Sequence, residues 1–158
     1  EAFAKVIDTA LSARRNEDFC IIARSDAKVA EGVEGVIERL KLYAEHGAHA
    51  VMVGDFYTLE EFARISAAVP VPLISVAADK DHFDLQPDYT IDEWRQVGVR
   101  MALYWHLPLF AALQAVRDAV NVLKNDGSTE KLSDRIAGYK EYAEVTNLEE
   151  WMRLDENQ

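Results

Sequence analysis

One cysteine, Cys20, is all that 158 residues contain. That rules out a disulfide framework and a cysteine-built metal cluster. Positive charge is also short, with 17 Lys and Arg against 28 Asp and Glu, for a net charge of −11. No basic stripe is visible, which excludes a nucleic-acid partner, since a phosphate backbone needs one. No apolar run reaches the roughly 20 residues that cross a bilayer, and no secretory segment opens the chain. A cytoplasmic, reducing setting without membrane contact is the expectation. The first residue is Glu1 and not methionine, which makes a truncated chain the working expectation.

The 49% of hydrophobic residues that are present suffice for a real core. They are organised around Phe19-Cys20-Ile21-Ile22-Ala23-Arg24-Ser25-Asp26. A short apolar run reads as a strand buried on both faces, here Phe19–Ala23, with charged groups delivered to the rim of a sheet at its C-terminal end. Arginine is costly to bring near a core, so a guanidinium held there meets an anion, which is either a protein carboxylate or a ligand.

A helical face, Phe3, Val6, Ile7, Ala10 and Leu11, precedes this strand and closes at Asn16. A helix framed at its start by Gly32 and Gly35 follows it and ends at His46-Gly47. His49 to Val53 is a second strand, and Thr58-Leu59-Glu60-Glu61 is a capping box opening a helix to Val69. Pro70 and Pro72 bracket the entry to a third strand, Leu73–Val76. Residues 77–89 form a polar loop of functional length. A second capping box, Thr90-Ile91-Asp92-Glu93, leads a helix to Gly98, and Val99–Tyr104 is a fourth strand. Helices then run from Pro108 to about Asn125, from Leu132 to Val145, and from Leu148 onward, with Tyr142, Leu148, Trp151 and Leu154 packing inward.

Repeated strand-helix units imply an α/β fold with parallel strands and right-handed crossovers. Four such units suit either a small open sheet or part of an eight-stranded barrel, whose half would leave two sheet edges unpaired.

IIARSDA followed by AEGVEGVIERLKLYAEHGAHAVMV resembles the isocitrate lyase and phosphoenolpyruvate mutase superfamily, whose members carry a very similar IIARTDA strand and a helix ending in an AGAD-like turn. The resemblance continues through VPVPLISV and TIDEWRQVGVRMALYWHLPLFAALQAV, covering nearly the whole chain. It implies the C-terminal half, strands five to eight with their helices, of a (β/α)8 TIM barrel plus extra C-terminal helices. Residues 1–127 would form the half barrel, and 128–158 the helices that pack on a neighbouring subunit of a homo-oligomer by exchange. The family's Mg2+ ligands and gating loop belong to the other half, so the resemblance places no metal ligand in this chain.

The same resemblance matches Arg24 to the arginine that binds a substrate carboxylate and helps neutralise an enolate-like intermediate. It matches Asp26 to an acidic residue that orients that arginine or a neighbouring loop. Methylisocitrate lyases carry a glutamate where Gly54 falls, followed here by Asp55, and an asparagine where Val76 falls. The MVGDF segment and the context RMALYWHLPLFAALQA are instead similar to the oxaloacetate decarboxylases of the superfamily, which place a histidine where His106 stands.

The implied activity is a Mg-dependent carbon-carbon lyase acting on small anionic 2-oxo acids, with oxaloacetate decarboxylation foremost. Arg24 and His106 are its catalytic candidates, and Arg24, Asp26 and Asp55 its substrate-binding candidates. A methylisocitrate lyase, a phosphonate-forming mutase and a noncatalytic half-barrel module are the alternatives. His46 and His49 read as a solvated turn pair. Asp79, Lys80, Asp81, His82 and Asp84 read as a charged loop over the barrel mouth, from which Lys80 or His82 reaches toward substrate.

Overall fold

The computed structural model describes residues 2–155. Four parallel strands, β1 (Ile22–Ser25), β2 (Ala50–Val53), β3 (Leu73–Val76) and β4 (Val99–Leu103), lie side by side in sequence order. The helices α1 (Ala2–Ser12), α2 (Lys28–Glu45), α3 (Leu59–Ala68) and α4 (Ile91–Gln96) precede or connect them. Compact units divide between Pro108 and Leu109.

The connecting helices all cover one side of the sheet. Ala23, Val51, Val53, Leu73 and Val99 point to that side and close a core with Val36, Ile37 and Leu40 of α2, Phe62 and Ile65 of α3, and Trp94 of α4. Arg24, Met52, Ile74 and Met101 share a register and point to the other side. Ile22, Arg24, Met101 and Leu103 are exposed there. The expected first strand therefore needs two corrections: it begins at Ile22 and not Phe19, and it is buried on one face only. In β1 every second residue, Ala23 and Ser25, is buried, and Phe19 and Cys20 lie exposed before the ladder begins.

Local signals in the chain account for most helix boundaries. Thr58 and Thr90 each accept from the backbone of the residue three on, and Glu61 and Glu93 return the bond, which completes both capping boxes. α2 ends in a left-handed Gly47, with Ala48 N donating to Tyr43 O and Gly47 N to Ala44 O. Its first turn is separated from the rest by Gly32, whose φ of 67° interrupts the helix.

The histidines read as a solvated pair are drawn apart. His46 pairs with Asp8 of α1. His49 accepts from Ile21 N and faces Arg14, tying the amino ends of β1 and β2 to the segment after α1.

The second unit carries most of α5 (Leu107–Asp126), a 3-10 turn (Glu130–Leu132), α6 (Tyr139–Val145) and α7 (Leu148–Asp155). The helix expected from Leu132 to Val145 is thus interrupted, because the chain is extended at Gly138 and restarts from it. Tyr142, Trp151 and Leu154 are exposed and do not pack inward within this chain. The last part of the expected C-terminal helical segment, residues 156–158, lies outside the described residues. Among the described residues no helix is long and apolar enough to cross a membrane.

Candidate functional site

Every sequence-derived candidate sits at the carboxyl ends of the strands, where parallel α/β folds place their chemistry. Arg24 lies inside β1 with its side chain on the helix-free face. Its Nε donates to Asp26 Oδ1 at 2.8 Å. Both side chains are about half exposed, at 51% and 55%, so the pair leaves the guanidinium accessible to a further anion.

Gly54 explains how the guanidinium reaches that place. A Cβ at residue 54 would collide with Nη2 and Cζ of Arg24 and with Oδ1 of Asp26. The bare backbone after β2 is therefore the bed on which this ion pair rests, and Gly54 N donates to Ser25 O at 3.3 Å to hold the strand ends in register.

Asp55 turns elsewhere. Its Oδ2 accepts from the backbone N–H of Lys28 at 3.0 Å, at the start of α2. Lys28 Nζ bonds Glu61 Oε2 at 2.8 Å and Phe56 O at 2.7 Å, and lies 4.4 Å from the centre of the Tyr57 ring. Burial pushes the Tyr57 phenol up, and the carboxylates of Asp55, Glu61 and Asp26 push it further, so it keeps its proton. Ser25 Oγ is buried without a hydrogen-bond partner among the described residues.

The loop after β3 is pinned from beneath. Gln86 is fully buried, accepts from Tyr57 N at 3.1 Å and donates to Val76 O at 3.2 Å. Tyr89 bonds Tyr57 O at 3.2 Å and meets Phe62 and Trp94 edge-on. From the same loop Asp79 reaches two imidazoles: His82 Nδ1 at 2.8 Å and His106 Nδ1 at 3.1 Å. Hydrogen bonds from His82 and then His106 hold the Asp79 carboxyl below its ordinary value, against the opposing effect of burial. His106, just beyond β4, stacks on Trp105, and His82 stacks on Phe56. Among the described residues no group of three or more His, Cys, Asp or Glu side chains is placed to hold a metal ion.

Arg24 and Asp26 are thus brought together, and Gly54 lies against both. Asp55 serves the start of α2, and His106 belongs to a separate group with Asp79 and His82. Sequence reading missed Gln86, Lys28 and the bridging role of Asp79. Asp79 and His106 are 27 residues apart, and no spacing pattern signals such a pair.

A protein-family model described as phosphoenolpyruvate phosphomutase matches residues 1–124. The 2-methylisocitrate lyase of Escherichia coli (strain K12) is 34% identical over 142 residues, covering 89% of this chain and 47% of that protein. The structure of an oxaloacetate acetylhydrolase in complex with the product oxalate superposes with a TM-score of 0.81 at 28% identity, covering 98% of this chain and 53% of that one. A phosphonopyruvate hydrolase complex with oxalate and Mg2+ matches with a TM-score of 0.77 at 26% identity, covering 99% of this chain and 54% of that one. The chain spans about half the length of the curated relatives it matches.

Proposed function

The chain belongs to the phosphoenolpyruvate phosphomutase family, and on that footing we propose that it supplies strands five to eight of a (β/α)8 barrel that cleaves a carbon-carbon bond in a small 2-oxo acid. Oxaloacetate decarboxylation is the leading reaction. The observation that carries this reading is the half-exposed Arg24 guanidinium at the carboxyl rim, seated against Gly54. A glutamate at residue 54, the residue of the methylisocitrate lyases at that place, would displace it.

The exposure of Ile22, Arg24, Met101 and Leu103 on the face away from the helices, and the edge positions of β1 and β4 in the sheet, support the half-barrel assignment of residues 1–127. Exposed Leu109, Leu113, Val116, Val120 and Leu123 repeat along α5 at alternating spacings of four and three. A stripe of that spacing suits a partner helix, and it supports a symmetric homo-oligomer with exchanged C-terminal helices.

In the reaction the C3–C4 bond of oxaloacetate breaks, carbon dioxide leaves, and the electron pair remains as the enolate of pyruvate until a proton reaches C3. Arg24 offers two parallel donors to the remaining carboxylate and a fixed positive charge beside the developing enolate oxygen. Asp26 holds the guanidinium by its Nε edge, which leaves the fork for substrate. His106 assists at the departing carboxylate or at protonation of the enolate carbon. Magnesium, when bound, supplies charge that polarises the keto group. Its ligands are assigned, by the resemblance, to the other half of the barrel.

A second reading, 2-methylisocitrate cleavage, is favoured by the relative of that name. The test is a substrate panel on the complete protein with Mg2+. Pyruvate and carbon dioxide from oxaloacetate support the first reading; pyruvate and succinate from 2-methylisocitrate support the second. Turnover of a phosphonate would point to a mutase, and no turnover of any to a noncatalytic module. Arg24→Ala should abolish whichever activity is found, and an unchanged rate would remove Arg24 from the site.

A further inference from the structure

Asp79 joins the loop after β3 to the segment after β4 and, through His82, to the segment after β2. Its side chain is only 12% exposed. Oδ1 accepts from His82 Nδ1 at 2.8 Å and from Asp81 N at 3.0 Å, while Oδ2 faces His106 Nδ1 at 3.1 Å. His82 is in turn stacked on Phe56, which follows β2, with ring centres 5.1 Å apart.

An ionised carboxylate can only accept hydrogen bonds, so the proton of a neutral His106 must sit on Nδ1 and its lone pair on Nε2. Serine hydrolases use the same physics, with an aspartate that takes no proton itself but fixes the tautomer and orientation of a working imidazole. His106 also has Trp105 stacked against it, which limits rotation of its ring. We infer that Asp79 is a positioning residue: it locks His106 in the Nδ1–H tautomer facing the carboxyl rim, and His82 keeps Asp79 in place by occupying its other oxygen. The inference rests on the reading that places His106 at the reacting carbon.

The test uses the full-length protein labelled with 15N-histidine, with the His106 signals identified by their loss in His106→Gln. At pH about 8, where ordinary histidines are neutral, long-range 1H–15N correlations should show His106 predominantly Nδ1–H. Asp79→Asn is close to isosteric, but its amide can also donate, so the Nε2–H form should appear. In the same variant kcat on the accepted substrate should fall about 100-fold or more with KM changed less than threefold, the scale expected when a general acid or base is misplaced. Asp79→Glu should recover part of the loss, and His82→Ala should fall between parent and Asp79→Asn. An unchanged His106 tautomer in Asp79→Asn overturns the inference, as does a kcat within threefold of the parent while His106→Gln is inactive. Full activity in His106→Gln overturns the functional reading of His106; the tautomer measurement reports on the Asp79 contact independently of turnover.

Discussion

Adding one methyl group at residue 54 should separate activity from stability. In Gly54→Ala the new Cβ meets Nη2 and Cζ of Arg24 and Oδ1 of Asp26 at overlapping distances. Gly54 is not in the left-handed region, so alanine brings no backbone strain of its own. Relief therefore has to come from the ion pair, and restoring ordinary contacts of about 3.5–4.0 Å moves the guanidinium by roughly 1 Å or more.

Both members of that pair are about half exposed, so weakening it costs only about 0.2–1 kcal/mol. Replacing glycine with alanine returns about 0.4–1 kcal/mol through the unfolded chain. The net change in stability should stay within about 1 kcal/mol. A reacting geometry is less forgiving: a misplacement of about 1 Å costs roughly 100-fold, or about 2.7 kcal/mol at 1.36 kcal/mol per decade. Urea unfolding and kcat/KM, measured on the complete protein with the substrate it accepts, would read the two effects separately. A kcat/KM within threefold of the parent would refute the idea that Gly54 places Arg24. A stability loss above about 3 kcal/mol would refute the claim that only the ion pair yields.

Other perturbations probe the scaffold. Phe62→Ala removes a fully buried ring that meets Tyr57, Tyr89 and Trp94, and should cost about 3–5 kcal/mol in denaturant midpoint analysis. Thr90→Ala breaks the capping box of α4; about 1 kcal/mol, seen as a Tm lower by about 2–4 °C, is expected, and an unchanged Tm would mean the cap contributes nothing. Burial raises the Glu61 carboxyl, but the hydrogen bonds from Lys28 and Thr58 outweigh it and hold the group below its ordinary 4.5. Its contribution to stability is therefore present above pH 4.5 and is lost as the pH falls through the lower folded value. Glu61→Gln should be less stable than the parent at pH 7, with the gap closing below about pH 4; parallel acid-unfolding curves by circular dichroism would contradict this.

Capping and glycine signals were the most readable part of the chain, because they act within five residues. Thr58-Glu61, Thr90-Glu93 and the left-handed Gly47 mark the helix ends they were expected to mark. The first strand begins three residues after the start its composition suggests, because the ladder with β2 starts at Ile22 opposite Ala50. Asp55 is a substrate-binding candidate through the resemblance of the MVGDF segment alone, and no local pattern signals that its Oδ2 accepts from the backbone of Lys28 at the start of α2. The long helix read after Leu132 ignored Gly138, where the backbone leaves the helical region.

By itself the sequence determined the alternation of strand and helix, the parallel sheet it requires, the acidic character of the chain, and the family to which its motifs point. These follow from periodicity, local hydrogen bonding and composition, all of which are written along the chain. Tertiary structure decided which face of the sheet stays open, that Gly54 is the seat of the Arg24–Asp26 pair, and that Asp79 lies between His82 and His106. Gly54 against Arg24 and Asp79 against His106 join residues from different strand-helix units, and the parallel register that stacks the strand ends at one rim brings them together.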